Sequence, residues 1–309
     1  MRLARRRPKP YLPPMRYAAH EMLVAPARPS AALGRLALGV AMTLCLFLAL
    51  SVAWANLLPR LFGPDAWART VPGIAAATTP AGVLINLFTF ALLIAALGLS
   101  LRAVHRRGLR SLVGPLPLAL AQFFRALCAV ALLYGALLLV PLPEALAPAR
   151  NLAIGTWLAF LPLALGALFI QVAAEELVFR GYLQSQLAAR FSSPLVWLGL
   201  PSLGFGLLHL DLSGHGEMAW MVAGWAALFG LAAGDLTARF GTLGPATALH
   251  LLNNFAAILL AAPQGQFDGL ALYAYPFALD DRAALLAMMP GDLLILLCGW
   301  LAIRLALRG

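Results

Sequence analysis

Charge is scarce in this chain, and acidic charge scarcest of all. Only 11% of the 309 residues are charged, with 12 Asp and Glu against 22 Lys and Arg, while 62% are hydrophobic. Soluble domains carry about 25% charged residues, so no single water-soluble core would hide this much apolar surface. The mean hydropathy is +0.87, and lipid is the solvent the composition calls for. Cysteine is rare too. Cys45, Cys128 and Cys298 each lie in an apolar run, and no pair has the spacing of a metal or redox motif. They read as small hydrophobic core residues. The period-2 alternation of a membrane β-barrel is missing, because the apolar runs are continuous and rich in Leu and Ala. No internal repeat is visible, which gives an inverted-repeat transporter little support. Lysine is reduced to Lys9. That arginine- and alanine-rich bias suggests a GC-rich bacterial genome and a bacterial inner membrane.

The formal charge is +10. In a soluble protein this would raise nucleic acid as a partner. Here the arginines sit at the ends of apolar runs, which fits orientation by the positive-inside rule, and no nucleic-acid binding is expected. About 20 apolar residues span a bilayer as a helix. The sequence reads as an all-α, polytopic transmembrane bundle of eight spans, at 36–58, 81–101, 117–140, 152–174, 194–210, 217–236, 242–262 and 290–307. The fourth is expected to continue as helix to about Arg190, since 175–190 has no Pro and only Gly181. Residues 1–30 read as a mostly disordered, basic cytoplasmic tail suited to anionic lipid, rather than a cleaved signal peptide. Further units are 31–150 (N-terminal spans), 151–262 (a catalytic core) and 263–309 (a loop and the last span).

The loops test the count. Arg2, Arg5, Arg6, Arg7, Lys9, Arg16, Arg102, Arg106, Arg107, Arg110, Arg180, Arg190, Arg239, Arg304 and Arg308 fall on one side of an eight-span bundle. The other side mixes Arg60, Arg69, Arg150 and Arg282 with most of the acids. The rule therefore puts both termini in the cytoplasm.

An ionisable residue inside a span is costly and marks a functional site by default. Three groups stand out between 171 and 254. In Glu175-Glu176-Leu-Val-Phe-Arg180, Glu176 and Arg180 are four apart and about 40° apart in azimuth on a helix, so they can pair. Glu175 points about 100° away from Glu176 and is left free of that pair. A desolvated, unpaired carboxylate favours its protonated form and suits general-base work. An ordinary ion pair at a helix end is the alternative. In Phe205-Gly-Leu-Leu-His209, Phe and His share a face, and a hydrogen-bonded interface histidine is the alternative. His215, in the following loop, reads as solvated. In His250-Leu-Leu-Asn253-Asn254, His250 and Asn254 share a face, and both offer donors to a developing oxyanion. Interhelical hydrogen bonding is the alternative. Counted along ideal helices, Glu175 and His209 lie at a similar depth of about 22 Å, whereas His250 lies only about 12 Å in. A tilt, or a start nearer Arg239, would have to close that gap. The remaining span charges read as bland: Arg125, with Gln122, snorkels, and Asp235 and Asp292 sit at span ends near water.

Taken in order, EELVFR at 175–180, FGLLH at 205–209 and HLLNN at 250–254 resemble the CPBP family, the C-a-a-X protease and bacteriocin-processing (Abi) enzymes. The resemblance covers roughly 152–260 and includes Gly181 and the stretch TARFGTLGPATALH. It implies an intramembrane endopeptidase that hydrolyses a peptide bond in or near the C-terminal or membrane segment of a membrane-anchored protein or peptide. Glu175 and His209 would activate water, His250 and Asn254 would stabilise the oxyanion, and Glu176, Arg180 and Phe205 would support the site. No cofactor is firmly implied. A metal-free, glutamate-type site is favoured, and the sequence lacks H-E-x-x-H. A metal-dependent version would use Glu175, His209 and His250 as ligands of Zn²⁺. Gly204, Gly206 and Gly214 would allow close backbone approach, and a water-filled cavity opening to the cytoplasm is expected around Glu175. Prenylated substrates are disfavoured by the bacterial composition. Self-immunity against bacteriocins, or a non-catalytic scaffold of the same fold, is the alternative function, though no motif residue is lost. Nothing sets the oligomeric state.

Overall fold

The computed structural model describes residues 17–141 and 143–308. Eight helical segments carry the chain back and forth: α1 Leu33–Phe62, α2 Pro80–Ser100, α3 Leu116–Leu137, α4 Ile154–Glu176, α5 Leu200–Leu208, α6 Ala219–Phe240, α7 Gly244–Asn254 and α8 Arg282–Ala306. Helical turns at Leu177–Gln184 and Ser185–Ala188 prolong α4, Leu195–Gly199 precede α5, and Phe255–Leu260 prolong α7. The expected order of eight segments is therefore present, and α4 does run on past the glutamates. Among the described residues, six segments are long and apolar enough to cross a membrane. The two that contain α5 and α7 are shorter, Leu195–Leu208 and Gly244–Leu260. This is a polytopic helical bundle and a multi-pass membrane protein.

The helix starts follow local chemistry. Thr79 Oγ1 accepts from Gly82 N at 3.1 Å to cap α2, and Asp281 Oδ1 accepts from Ala284 N at 3.1 Å to cap α8. At Gly241 the chain leaves α6 with φ +73, a left-handed stop that suits glycine. Of the long segments, Leu212–Phe240 is the most enclosed, and Leu33–Phe62 and Arg282–Ala306 the least. The outer helices turn large apolar side chains outward, Leu132, Leu294 and Leu305 among them, as lipid-facing helices do.

Long-range bonds sort the loops into two ends. At one end, Leu243 N donates to Val113 O (3.1 Å), Gln122 Nε2 to Phe240 O (3.2 Å) and Arg125 Nη2 to Ala306 O (2.6 Å). At the other, Asn151 Nδ2 donates to Asp268 O (2.8 Å), Phe267 N to Ala76 O (2.8 Å), and His215 Nε2 pairs with Gln266 Oε1 (3.1 Å). The first is the arginine-rich end and the second the acidic one, so the alternation expected of eight crossings holds. A small sheet at the acidic end was not expected: β1 Ala149–Arg150, β2 Ala261–Ala262 and β3 Tyr273–Ala274, in the order β1-β3-β2. β1 runs antiparallel to β3 and β2 parallel to it.

Several expectations need correction. Residues 1–16 lie outside the described residues, but 17–30 are ordered helical turns, not a disordered tail. Leu23, Ala27 and His20 are buried there. The reason is that this stretch covers the basic end: Tyr17 OH donates to Asp235 at 2.8 Å, and the His20 ring lies 4.9 Å from the Trp197 ring. Burial pushes His20 down to about 4. Asp235 is not a water-facing end residue. It is buried and also accepts from Trp300 Nε1 (3.0 Å) and Arg239. His215 is buried rather than solvated, because the 263–272 loop closes over it. Cys45 and Cys128 are exposed on the bundle's outside and Cys298 is half-buried, so none is a core residue, though all three are free.

Candidate active site

Glu175 and Glu176 end the regular part of α4, and the backbone then loosens into the π-helical run Leu177–Gln184. Such wide turns are rare and collect at functional sites. Within this run Arg180 points inward. Its Nη1 lies 2.8 Å from Glu176 Oε1, with the two side chains 2% and 0% exposed. Arg180 is therefore not a loop charge on the basic side, as expected from sequence, but half of a buried pair. An isolated buried charge is very costly, and pairing offsets part of the cost.

The same Glu176 Oε1 binds His250 from α7, with Nδ1 at 2.8 Å. Glu176 beside Arg180 is a carboxylate and can only accept, so His250 Nδ1 carries the proton. The other ring nitrogen, Nε2, faces Glu175 Oε2 at 3.5 Å, a close contact just beyond a good hydrogen bond. One imidazole thus stands between two consecutive glutamates. Glu176 is sealed, while Glu175 is part-exposed. The division expected from helical azimuths, one carboxylate paired and one available, holds in space.

The depth mismatch of His250 closes for a reason other than tilt or an early start. α7 begins inside the protein. Every residue from Gly241 to His250 is buried. A Cβ on Gly244 would lie 2.1 Å from Ala119 O, and Leu243 N bonds Val113 O. The GTLGPATALH stretch, built of small residues, lets α3 and the Val113 turn lie directly on the helix start. Distance counted from that start is then not distance from the membrane surface.

Phe205 is the hub on α5. Its ring lies 4.6 Å from the His209 ring, 5.9 Å from the His250 ring and 4.6 Å from the Arg180 guanidinium carbon. His209 sits where α5 ends, half-exposed, and its Nδ1–H donates to Phe205 O at 2.8 Å. That bond leaves Nε2 with a lone pair. Asn254, one turn beyond His250, donates from Nδ2 to Gln171 Oε1 at 3.0 Å and accepts from Asn253 Nδ2 at 3.3 Å. Glu175, Glu176, Arg180 and His250 are in direct contact. Phe205 and His209 join them through ring contacts, and Asn254 through the α4–α7 seam. No hydrogen bond links His209 or Asn254 to Glu175 among the described residues.

Sequence reasoning missed Gln171 and Phe229. Gln171 is four residues before Glu175, so it shares its face of α4, and an amide in so apolar a helix was the available signal. Phe229 packs edge-on to His250 at 4.9 Å and carried no signal among the many apolar residues of α6. Two of the expected glycines have other duties. A Cβ on Gly206 would lie 2.5 Å from Ala223 O, so this glycine brings α5 against α6. Gly214 belongs to the Asp211 cap. Among the described residues, no three His, Cys, Asp or Glu side chains are gathered as a metal-ligand set, the trio Glu175, His209 and His250 included.

Residues 156–256, about a third of the chain, match the family model described as type II CAAX prenyl endopeptidase Rce1-like. No curated protein and no solved structure matches. The matched stretch runs from α4 through Asn254 and takes in every motif residue. This match over the central third of the multi-pass membrane protein agrees with the resemblance of its three motifs to CAAX-type intramembrane proteases.

Proposed function

We propose that the chain is an endopeptidase of the bacterial inner membrane, with its basic end and both termini in the cytoplasm. Its substrate is a membrane-anchored protein, cut in or near its C-terminal or membrane segment. The observation that carries this reading is the imidazole of His250 held between Glu176 and Glu175. Residues from two of the motifs meet there, and Phe205 brings the third to the same ring cluster.

Hydrolysis then runs on this chain's own groups. Glu175, part-exposed and outside the ion pair, takes a proton from water while His209 Nε2 accepts from the same water and orients it. The hydroxide oxygen bonds to the scissile carbonyl carbon. The oxyanion meets the free N–H of the Asn254 amide, whose second N–H is spent on Gln171. His250 can add a donor there only as an imidazolium, with protons on both nitrogens. Glu175 returns its proton to the amide nitrogen as the C–N bond breaks. Should a metal serve this site, His209 would have to draw in beside Glu175 and His250, with which it is not gathered.

Glu175 must meet water for this chemistry. With Cys45, Cys128 and Cys298 replaced by Ala, Glu175→Cys is expected to react with a membrane-impermeant maleimide added from the cytoplasmic side. A position sealed from both sides would count against the mechanism.

Gln171 acts as a positioning residue in this scheme. Gln171→Leu frees the Asn254 amide to rotate. Losing an oxyanion donor outright costs about 10²–10³ in kcat, and misorienting one is expected to cost about tenfold. KM should stay near wild type. A matched rise in KM with kcat unchanged would mean that Gln171 serves binding or folding instead.

A further inference from the structure

Beyond the second crossing, at the basic end, the chain makes an uncommon turn. Leu101–His105 is π-helical, and Arg106 follows in the left-handed region at φ 54, ψ 35. A residue with a side chain adopts that conformation at a cost and is held there by its surroundings. The turn leaves Arg106 exposed and sends Arg107 back toward the protein. Arg107 N closes it on Leu101 O at 3.3 Å.

Arg107 arrives without a partner. Its Nε, Nη1 and Nη2 are all shielded from solvent, and none has an acceptor among the described residues. Burial draws its pKa down to about 10, against the opposing pull of Tyr182. The neighbouring polar side chains bond to one another, with the neutral Gln186 Oε1 left without a partner among the described residues. His105 Nδ1 meets Ser30 Oγ and Gln186 Nε2, each at 2.9 Å, and His105 Nε2 meets Tyr182 OH at 2.8 Å. Nor is a carboxylate to spare. All twelve acids are among the described residues. At this end, outside the EELVFR motif, they are Glu21, held by Arg28, and Asp235, held by Tyr17, Arg239 and Trp300. A guanidinium presents five donors in a fork that matches an oxyanion. The described residues supply no oxyanion here, which leaves the fork open to a group from outside the protein.

We infer that Arg107 is the centre of an anion site that takes the phosphate of an anionic membrane lipid. The position argues for lipid over free phosphate. Arg107 follows the spanning segment Pro80–His105 directly, at the level of the headgroups. It is flanked by the exposed cations Arg102, Arg106 and Arg110, which draw anionic lipid toward it. Tyr182, which reaches His105 beside it, stands on the same π-helical run as Arg180. A lipid seated at Arg107 therefore braces the helix that carries the glutamates. The inference stands apart from the peptidase reading and does not need it.

The test uses the full chain in neutral detergent, with retained lipid counted by native mass spectrometry. Phosphatidylglycerol, phosphatidylcholine and inorganic phosphate are the probes. Phosphatidylglycerol should be retained in preference to phosphatidylcholine. Arg107→Gln should weaken that retention about tenfold or more, as expected for losing a charge-assisted bond. Arg102→Gln, an exposed neighbour, should change it by about twofold or less. Unchanged retention in Arg107→Gln would overturn the inference. So would retention of inorganic phosphate with no phosphatidylglycerol, which would make the site one for a free anion. Should Arg107→Gln fold poorly, the wild type decides by thermal unfolding. Phosphatidylglycerol must raise its midpoint above that in phosphatidylcholine, and an equal midpoint would overturn the site.

Discussion

Arg180→Met is expected to lower the stability of the protein by about 3–5 kcal/mol, the cost of leaving one member of a buried ion pair uncompensated. Glu176 is fully buried and its Oε1 holds both Arg180 Nη1 and His250 Nδ1. Without the guanidinium, the carboxylate keeps only the imidazole as a counter-group. Its Oε2 already lacks a partner, as does Arg180 Nη2, so the site has no spare hydrogen bond to absorb the loss. The measurement is the unfolding midpoint in detergent, and a large fall is predicted. The double variant Glu176→Gln/Arg180→Met removes both charges and should recover a large part of the loss, since an uncharged replacement of a buried pair is often neutral. If Arg180→Met were as stable as wild type, the pair would not brace this bundle. If the double variant were worse than the sum of its parts, the charges would not be what couples the two residues.

Glu175→Gln is expected to behave in the opposite way. Glu175 makes no hydrogen bond among the described residues and is part-exposed, so the fold and unfolding midpoint should survive. Activity should not. Gln cannot take a proton, and general-base catalysis is worth about 10²–10⁴ in rate. Asp at the same position keeps the carboxylate but withdraws it by one methylene, so Glu175→Asp should retain a small part of the activity. The contrast between adjacent glutamates is the informative result. Glu175→Gln loses chemistry and keeps stability, whereas Glu176→Gln loses the anchor of both Arg180 and His250 and should lose stability as well.

The pair Glu176–Arg180 was legible in sequence because i, i+4 geometry on a helix needs no tertiary information. The freedom of Glu175 followed from the same azimuths. The eight segments and the two-sided sorting of arginines were legible because lipid imposes length and charge rules that act locally. What depended on packing was not. Nothing in GTLGPATALH said that α7 would begin beneath α3, so the depth of His250 was misjudged. Arg180 was counted as a loop cation, although its partner four residues earlier had drawn it inside. The basic composition of residues 1–30 suggested disorder, yet Leu23 and Ala27 in that stretch are fully buried. Gln171 was overlooked because its partner, Asn254, is 83 residues away. Asp235 and His215 were given to water for the same reason: the residues that cover them come from the chain's two ends and from the 263–272 loop.

As the proposed general base, Glu175 should be required for the cutting of membrane proteins. The direct measurement compares protein termini by mass spectrometry in membranes of a host expressing wild type, Glu175→Gln or Glu176→Gln, at equal protein level. New termini near membrane segments should appear with wild type and vanish with Glu175→Gln, and the protein that carries them is the substrate. Termini unchanged by Glu175→Gln would contradict the claim and would leave a scaffold or immunity role for this fold.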